Sequence, residues 1–183
     1  MAKNNLAKRQ KTDSSAESVF VYTGPGCFVP KDVVRAQFDA SVVEVSIHAF
    51  FNCTKLREVV LNDGLQKIVR GAFCYCTSLR HITLPSTITE DGRHAFHNCQ
   101  NLREVVLNEG GLQKIDDDAF SGCISLERIA IPSTITEIGS EAFCWCENLR
   151  EVVLNEGLLE TCLAHCNFLS VQLVQNHYLL FVG

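Results

Sequence analysis

Ala72-Phe73-Cys74-Tyr75-Cys76 reads AFCYC, and Ala142-Phe143-Cys144-Trp145-Cys146 reads AFCWC. In a chain with ten cysteines, two Cys-aromatic-Cys motifs invite a metal or redox reading. The surrounding spacing points elsewhere. Phe50, Phe73, Phe96, Phe120 and Phe143 lie 23, 23, 24 and 23 residues apart. Cys53, Cys76, Cys99, Cys123 and Cys146 follow at the same intervals, as do Leu56, Leu79, Leu102, Leu126 and Leu149. Three residue types in one register define a repeat array. The extra residue of the third interval is one glycine of the pair Gly110-Gly111, where a bulge costs little.

Two variants alternate. LREVVLNEG runs from Leu102 to Gly110 and recurs near Leu56 and Leu149; LRHITLPSTIT runs from Leu79 to Thr89 and recurs as LERIAIPSTIT from Leu126. In the first, Val105 and Leu107 alternate with Glu104, Val106 and Asn108, a strand pattern. Leu112 with Ile115, and Ile135 with Ile138, are expected to face inward. The segment holding Ala142 and Phe143 reads as one short helical turn. A unit of 23 residues is too short for a strand and a full helix, so a solenoid with a parallel sheet on one side and short turns on the other fits.

The pattern Leu-x-x-(Ile/Val)-x-Leu-(Pro/Asn) followed by Ala-Phe-x-x-Cys resembles the BspA-like leucine-rich repeat, over roughly residues 33–158. The resemblance implies a right-handed leucine-rich-repeat solenoid with its parallel β-sheet on the concave face and short helical turns on the convex side. It also implies protein recognition, with surface adhesins among its members and no shared catalytic residues. The expected organisation is a polar, disordered tail at 1–18, an N-terminal cap at 19–32, five to six repeats at 33–158 and a degenerate C-terminal segment at 159–183. Val33, Ala36, Phe38, Val42 and Val45 take the core positions of a degenerate first repeat. After Leu158 the register is lost, and the segment reads either as a divergent cap or as the product of a truncated gene.

A net charge of −5 argues against a general nucleic-acid binder. The tail has no apolar run resembling a secretory signal, and Lys8-Arg9-Gln10-Lys11 could serve nuclear import. The expected location is intracellular, cytoplasmic or nuclear, with the cysteines as thiols. Gln172, Gln175, Asn176 and His177 interrupt the uncharged C-terminal segment, so no membrane span is expected.

No catalytic constellation, cofactor or metal site is assigned. The repeating cysteines read as small buried core thiols. Cys74 and Cys144 occupy a variable position, filled by Phe51, His97 and Ser121 elsewhere, and read as lying outside the core. His94, His97 and Cys99 suggest a metal site, but Cys99 belongs to the inward ladder and His94 to a series with Gly71, Asp118 and Glu141 that reads as exposed, so the three groups should diverge. Asp91 stands where Ile115 and Ile138 stand in other repeats; solvent or pairing with Arg93 is expected to relieve it. Tyr75 and Trp145, replacing Asn52, Asn98 and Gly122, are either contact points or packed on adjacent turns.

The exposed strand positions form rows. One contains Glu58, His81, Glu104, Arg128 and Glu151, in which acids alternate with groups able to be cationic. The next contains Val60, Thr83, Val106, Ala130 and Val153, a shallow apolar stripe. The third contains Asn62, Pro85, Asn108, Pro132 and Asn155. These rows are the expected partner-binding face of a non-catalytic protein-interaction scaffold. Beside them Arg57, Arg80, Arg103 and Arg150 stack with Glu127. They either pair with neighbouring glutamates on a solvated face or bind nucleic acid or a phosphorylated ligand.

Overall fold

The structure, a computed structural model, describes residues 18–154 and the backbone of 172–175 and 178–181. Residues 1–17 of the tail, residues 155–171 and the rest of the C-terminal segment lie outside the described residues, as does Asn155 of the third row.

In chain order the strands are β1 (Val19–Tyr22), β2 (Arg35–Phe38), β3 (Glu44–Val45), β4 (Glu58–Val60), β5 (Lys67–Ile68), β6 (His81–Leu84) and β7 (Glu90–Asp91). They continue with β8 (Glu104–Leu107), β9 (Lys114–Ile115), β10 (Arg128–Ala130), β11 (Glu137–Ile138), β12 (Glu151–Leu154), β13 (Gln172–Gln175) and β14 (Tyr178–Phe181). Each coil contributes one longer strand, one two-residue strand and one turn. The longer strands pair in parallel at the repeat period: Arg35 lies opposite Glu58, His81 opposite Glu104, and Arg128 opposite Glu151. At the ends β1 pairs in parallel with β2 and β13 with β12, while β14 returns antiparallel along β13. The short strands form a second parallel ladder, β3-β5-β7 and then β9-β11.

The core is a stack of like residues. Phe50 and Phe73 stack at 5.0 Å, Phe73 and Phe96 at 5.3 Å, Phe96 and Phe120 at 5.3 Å, and Phe120 and Phe143 at 5.7 Å between ring centroids. Their interplanar angles of 16°, 2°, 2° and 6° show one side-chain geometry repeated coil after coil. Phe38 and Tyr22 extend the stack toward the N-terminus, where the Tyr22 hydroxyl meets Ser46. The inward residues Leu112, Ile115, Ile135 and Ile138 are buried, as are Val33, Ala36, Phe38, Val42 and Val45 of the degenerate first repeat. Removing one of the stacked phenylalanine rings would cost about 3–5 kcal/mol.

Among the described residues the turns are not helical, where the sequence led us to expect short helical turns. Two positions per coil have left-handed backbone: His48, Gly71, His94, Asp118 and Glu141 at the first, and Asn52, Tyr75, Asn98, Gly122 and Trp145 at the second. A left-handed residue ends a right-handed helix, and it turns successive amides toward the neighbouring coil. The Phe50 N–H donates to Ala72 O at 2.8 Å and the Asn52 N–H to Cys74 O at 2.8 Å; the same two bonds recur from Phe73, Tyr75, Phe96, Asn98, Phe120 and Gly122. The turn face is thus a third coil-to-coil hydrogen-bonded seam. Glycine and asparagine suit it, whereas Tyr75 and Trp145 adopt φ of 61° against their intrinsic preference.

Gly110, within the extra-residue pair, is required by close approach. A Cβ there would overlap the Ser86 backbone, and the next amide, of Gly111, donates to Ser86 O at 3.0 Å.

Asp91 is neither solvated nor paired with Arg93. It is 3% exposed, and Arg93 pairs with Asp117 at 3.0 Å. In other coils the amide two residues beyond the short strand's start bonds a backbone carbonyl of the preceding coil, as Gly139 does to Ile115 O at 2.7 Å. Here the Asp116 amide donates instead to Asp91 Oδ1 at 3.0 Å, which accompanies the break in the second ladder between β7 and β9. Asp91 Oδ2 is buried without a partner. Burial raises this carboxyl from 3.8 to about 7; the Asp116 amide opposes the rise, the Asp116 charge adds to it, and Lys114 opposes it.

Because the folded chain holds this proton more tightly than the unfolded chain, the stability it contributes is full below pH 3.8 and is lost as pH rises through about 7. The gain in unfolding free energy from Asp91→Ile is therefore expected to be larger at pH 8 than at pH 5, by roughly 2–3 kcal/mol. Urea unfolding of both proteins at the two pH values measures it, and a pH-independent difference would contradict a protonated buried carboxyl.

Candidate functional site

The outward positions of the longer strands form the face that the sequence rows describe. Arg35 pairs with Glu58 at 3.2 Å and Arg128 with Glu151 at 3.3 Å, each across one strand step. His81 stands opposite Glu104 and Thr83 opposite Val106. Between the charges lies the apolar stripe, with Val60 at 52% and Val106 at 36% exposure; Thr83 and Ala130 are exposed and Val153 is half-buried.

The ladder of longer strands is interrupted between β4 and β6 and again between β8 and β10. A cleft of about 610 Å³ lies across the second interruption, lined by Arg103, Glu104, Val106, Glu127, Arg128 and Ala130 among others. Arg35, Glu127 and Leu107 are further parts of this face. Arg35 is absent from the sequence rows because its repeat is too degenerate to align by anchor residues.

The third row splits. Asn62 is structural: its Nδ2 donates to Asp39 O at 2.7 Å and to Val42 O at 2.9 Å, and its Oδ1 accepts from the Gly64 amide at 2.8 Å. Asn108 is exposed and Pro132 buried. A side chain closing a turn in this way is not free to meet a partner.

Arg57, Arg80, Arg103 and Arg150 are all exposed at the start of the strands. Arg57, Arg80 and Arg103, with Ser78 and Asn101, line a polar cleft of about 270 Å³. The expected glutamate pairing is not seen for two of them: Glu58 is taken by Arg35, and neither Arg80 nor Arg103 has an ion-pair partner among the described residues.

On the turn face the thiols have distinct roles. Cys76 donates to Phe50 O at 3.1 Å, Cys99 to Phe73 O at 3.2 Å, Cys123 to Phe96 O at 3.3 Å and Cys146 to Phe120 O at 3.2 Å. Each thiol adds a cross-coil bond to the carbonyl of the phenylalanine one coil earlier, which also accepts the amide three residues on, so the cysteine and phenylalanine repeats are coupled. Burial holds Cys76, Cys99 and Cys123 well above the usual thiol range and pushes Cys146 to about 12. Thiols so poorly ionised are weak nucleophiles and weak metal ligands.

Cys74 lies outside the core cluster, as its variability implies, yet it is buried; the packing of the turn covers this position in its coil, as it does Ser121 two coils on. Burial raises its thiol to about 11. Cys144, at the same position, is half-buried. Tyr75 packs edge-on against Phe51 at 5.8 Å and His97 at 5.7 Å, while Trp145 is 71% exposed.

The divergence expected of His94, His97 and Cys99 holds only for Cys99. The rings of His94 and His97 approach to 5.4 Å, and Asp118 from the next coil joins them, with Oδ2 at 3.7 Å from His94 Nδ1. His94 and Asp118, read as exposed, are half-buried. Burial, helped by His94 and opposed by Asp118, pushes His97 below the usual histidine range. Asp118 was legible as the His94 position one coil on, but its left-handed backbone and inward reach were not.

Among the described residues no helix is long and apolar enough to cross a membrane. The sequence profile of the BspA type leucine rich repeat region matches residues 22–150 and 70–178, in 6 copies. No curated protein matches. The solved structure of the pneumococcal vaccine antigen PcpA is 25% identical at a TM-score of 0.63, over 75% of this chain and 35% of that one. A leucine-rich repeat protein of Eubacterium ventriosum is 20% identical at a TM-score of 0.64, over 70% of this chain and 37% of that one. A leucine-rich repeat protein of T. pallidum is 28% identical at a TM-score of 0.50, over 86% of this chain and 63% of that one. This chain thus spans about a third of the first two and less than two thirds of the third.

The thiol roles give a direct expectation. Iodoacetamide footprinting of the folded, reduced protein at pH 8, read by peptide mapping, should label Cys144 and leave Cys76, Cys99 and Cys123 unlabelled until denaturant is added. Early labelling of Cys99 would contradict its role in the core.

Proposed function

Because the chain belongs to the BspA-type leucine-rich repeat family, we propose that it is a non-catalytic scaffold that binds a protein partner on its strand face, centred on the cleft between β8 and β10. The observation that supports this most is the cleft itself, where exposed Val106 and Ala130 lie between Glu104, Arg128 and Glu127. An apolar stripe flanked by both signs of charge suits a polypeptide that inserts an apolar side chain and pairs charges at the rim. Val60 and Thr83 extend the stripe toward the N-terminus and Val153 toward the C-terminus, where Glu151 continues the charged row beside it. A photo-crosslinking amino acid at Val106 is expected to capture a partner in the native cell, and the same group at Gln100 on the turn side is not. Capture from Gln100 alone would move the site to the other face.

A second reading is supported by Arg80 and Arg103, which have no ion-pair partner among the described residues. In it, the row of Arg57, Arg80, Arg103 and Arg150 binds an anionic ligand such as a phosphorylated peptide or a nucleic acid, with Ser78 and Asn101 as added donors. Affinity for a single-stranded oligonucleotide would then fall steeply with salt. Each arginine-to-glutamine change would flatten the log–log slope by about 0.7. Absence of binding at low salt would exclude nucleic acid as the ligand.

A further inference from the structure

We propose that His94, His97 and Asp118 form a binding site for one divalent transition-metal ion, Zn²⁺ in the first instance. One ring nitrogen from each histidine and one carboxylate oxygen of Asp118 lie within 4.8 Å of one another, all three residues half-buried. Two imidazoles and a carboxylate make a nitrogen–oxygen set that favours zinc and its neighbours over calcium or magnesium. Zinc bonds of about 2.0–2.1 Å in tetrahedral geometry place ligand atoms about 3.3 Å apart. His94 Nδ1 and Asp118 Oδ2 already stand at 3.7 Å, so small side-chain rotations complete the set. The partly open side leaves the fourth position to water or to a donor from a bound molecule.

A second observation supports the site. His97 Nδ1 is shielded from solvent and has no hydrogen-bond partner, an arrangement that costs free energy in a protein that binds nothing there. Its other nitrogen, Nε2, lies 2.6 Å from the Asn98 amide. The two ends of an amide are interchangeable by rotation. With Asn98 Oδ1 toward the ring, Nε2–H donates to it and Nδ1 presents a lone pair, the arrangement by which outer groups orient metal-bound histidines.

The backbone holds the ligands in place. His94 and Asp118 occupy the same left-handed position in adjacent coils, with φ of 59° and 54°. The His94 amide bonds to Asp117 O and the Asp118 amide to Ser140 O, both at 3.0 Å. His97 is fixed to the same turn by its amide bond to His94 O at 3.1 Å. The two turn positions that hold these ligands carry His48 and Phe51, with Gly71 in the next coil, at the N-terminal end, and Glu141 and Cys144 at the C-terminal end. The site therefore belongs to one place in the array and not to the repeat itself.

The test is titration of the reduced full-length chain with ZnCl₂, followed by the ¹⁵N resonances of the histidine rings, so that zinc captured by a thiol is not counted. The expected result is saturable movement of the His94 and His97 ring signals, with His48 and His81 unmoved. His94→Asn and Asp118→Asn keep a residue type suited to left-handed backbone, so both should fold. Each should weaken this response at least about tenfold, since loss of an outer-shell partner alone costs that much. Unmoved His94 and His97 rings, or an unchanged response in both variants, would overturn the site and leave a plain histidine–carboxylate pair.

Discussion

The structure depends on registration of one coil on the next through the stacked phenylalanines and the thiols beside them. Each cysteine donates to the carbonyl of the phenylalanine one coil earlier, while that ring stacks on its successor at 5.0–5.7 Å. The stack buries apolar area, and the thiol adds a second, cross-coil donor to a carbonyl that already accepts an amide within its own turn. Spacing between coils is thereby set at the turn side, and the strand ladders on the other sides follow it.

That registration converts sequence period into surface. A residue type placed once per unit becomes a row running along the solenoid, so charge, apolar stripe and arginine row are each linear arrays on one face. It also makes single departures local. Asp91 replaces an isoleucine, draws the Asp116 amide to its carboxylate, and the second ladder breaks between β7 and β9 while the phenylalanine stack continues through Phe96 and Phe120. Gly110 is a second such device, bringing the longer unit against the Ser86 backbone where no side chain fits.

The two faces offer different chemistry for the same reason. Strand residues alternate in and out, so the outward rows follow directly from the sequence. Turn residues do not alternate. Two left-handed positions per coil send the intervening side chains in directions no simple period describes, burying Cys74 in one coil and leaving the equivalent Cys144 half-buried in another. That is why the strand rows were legible in advance, apart from the third, where the Asn62 amide closes its own turn and Pro132 is buried. The meeting of His94, His97 and Asp118 was not.

AFCYC and AFCWC show the division most directly. Their place in a 23-residue register determined that the alanine, the phenylalanine and the second cysteine face inward, because only an inward anchor recurs in every unit. The same register determined the parallel solenoid. Tertiary structure alone decided the rest: that the described turns are left-handed seams and not helical, that Cys74 is covered while Cys144 is half-open, and that Asp91 stays buried with its carboxyl raised to about 7. Those outcomes depend on which groups adjacent coils bring against one another, information held between repeats and not within any one of them.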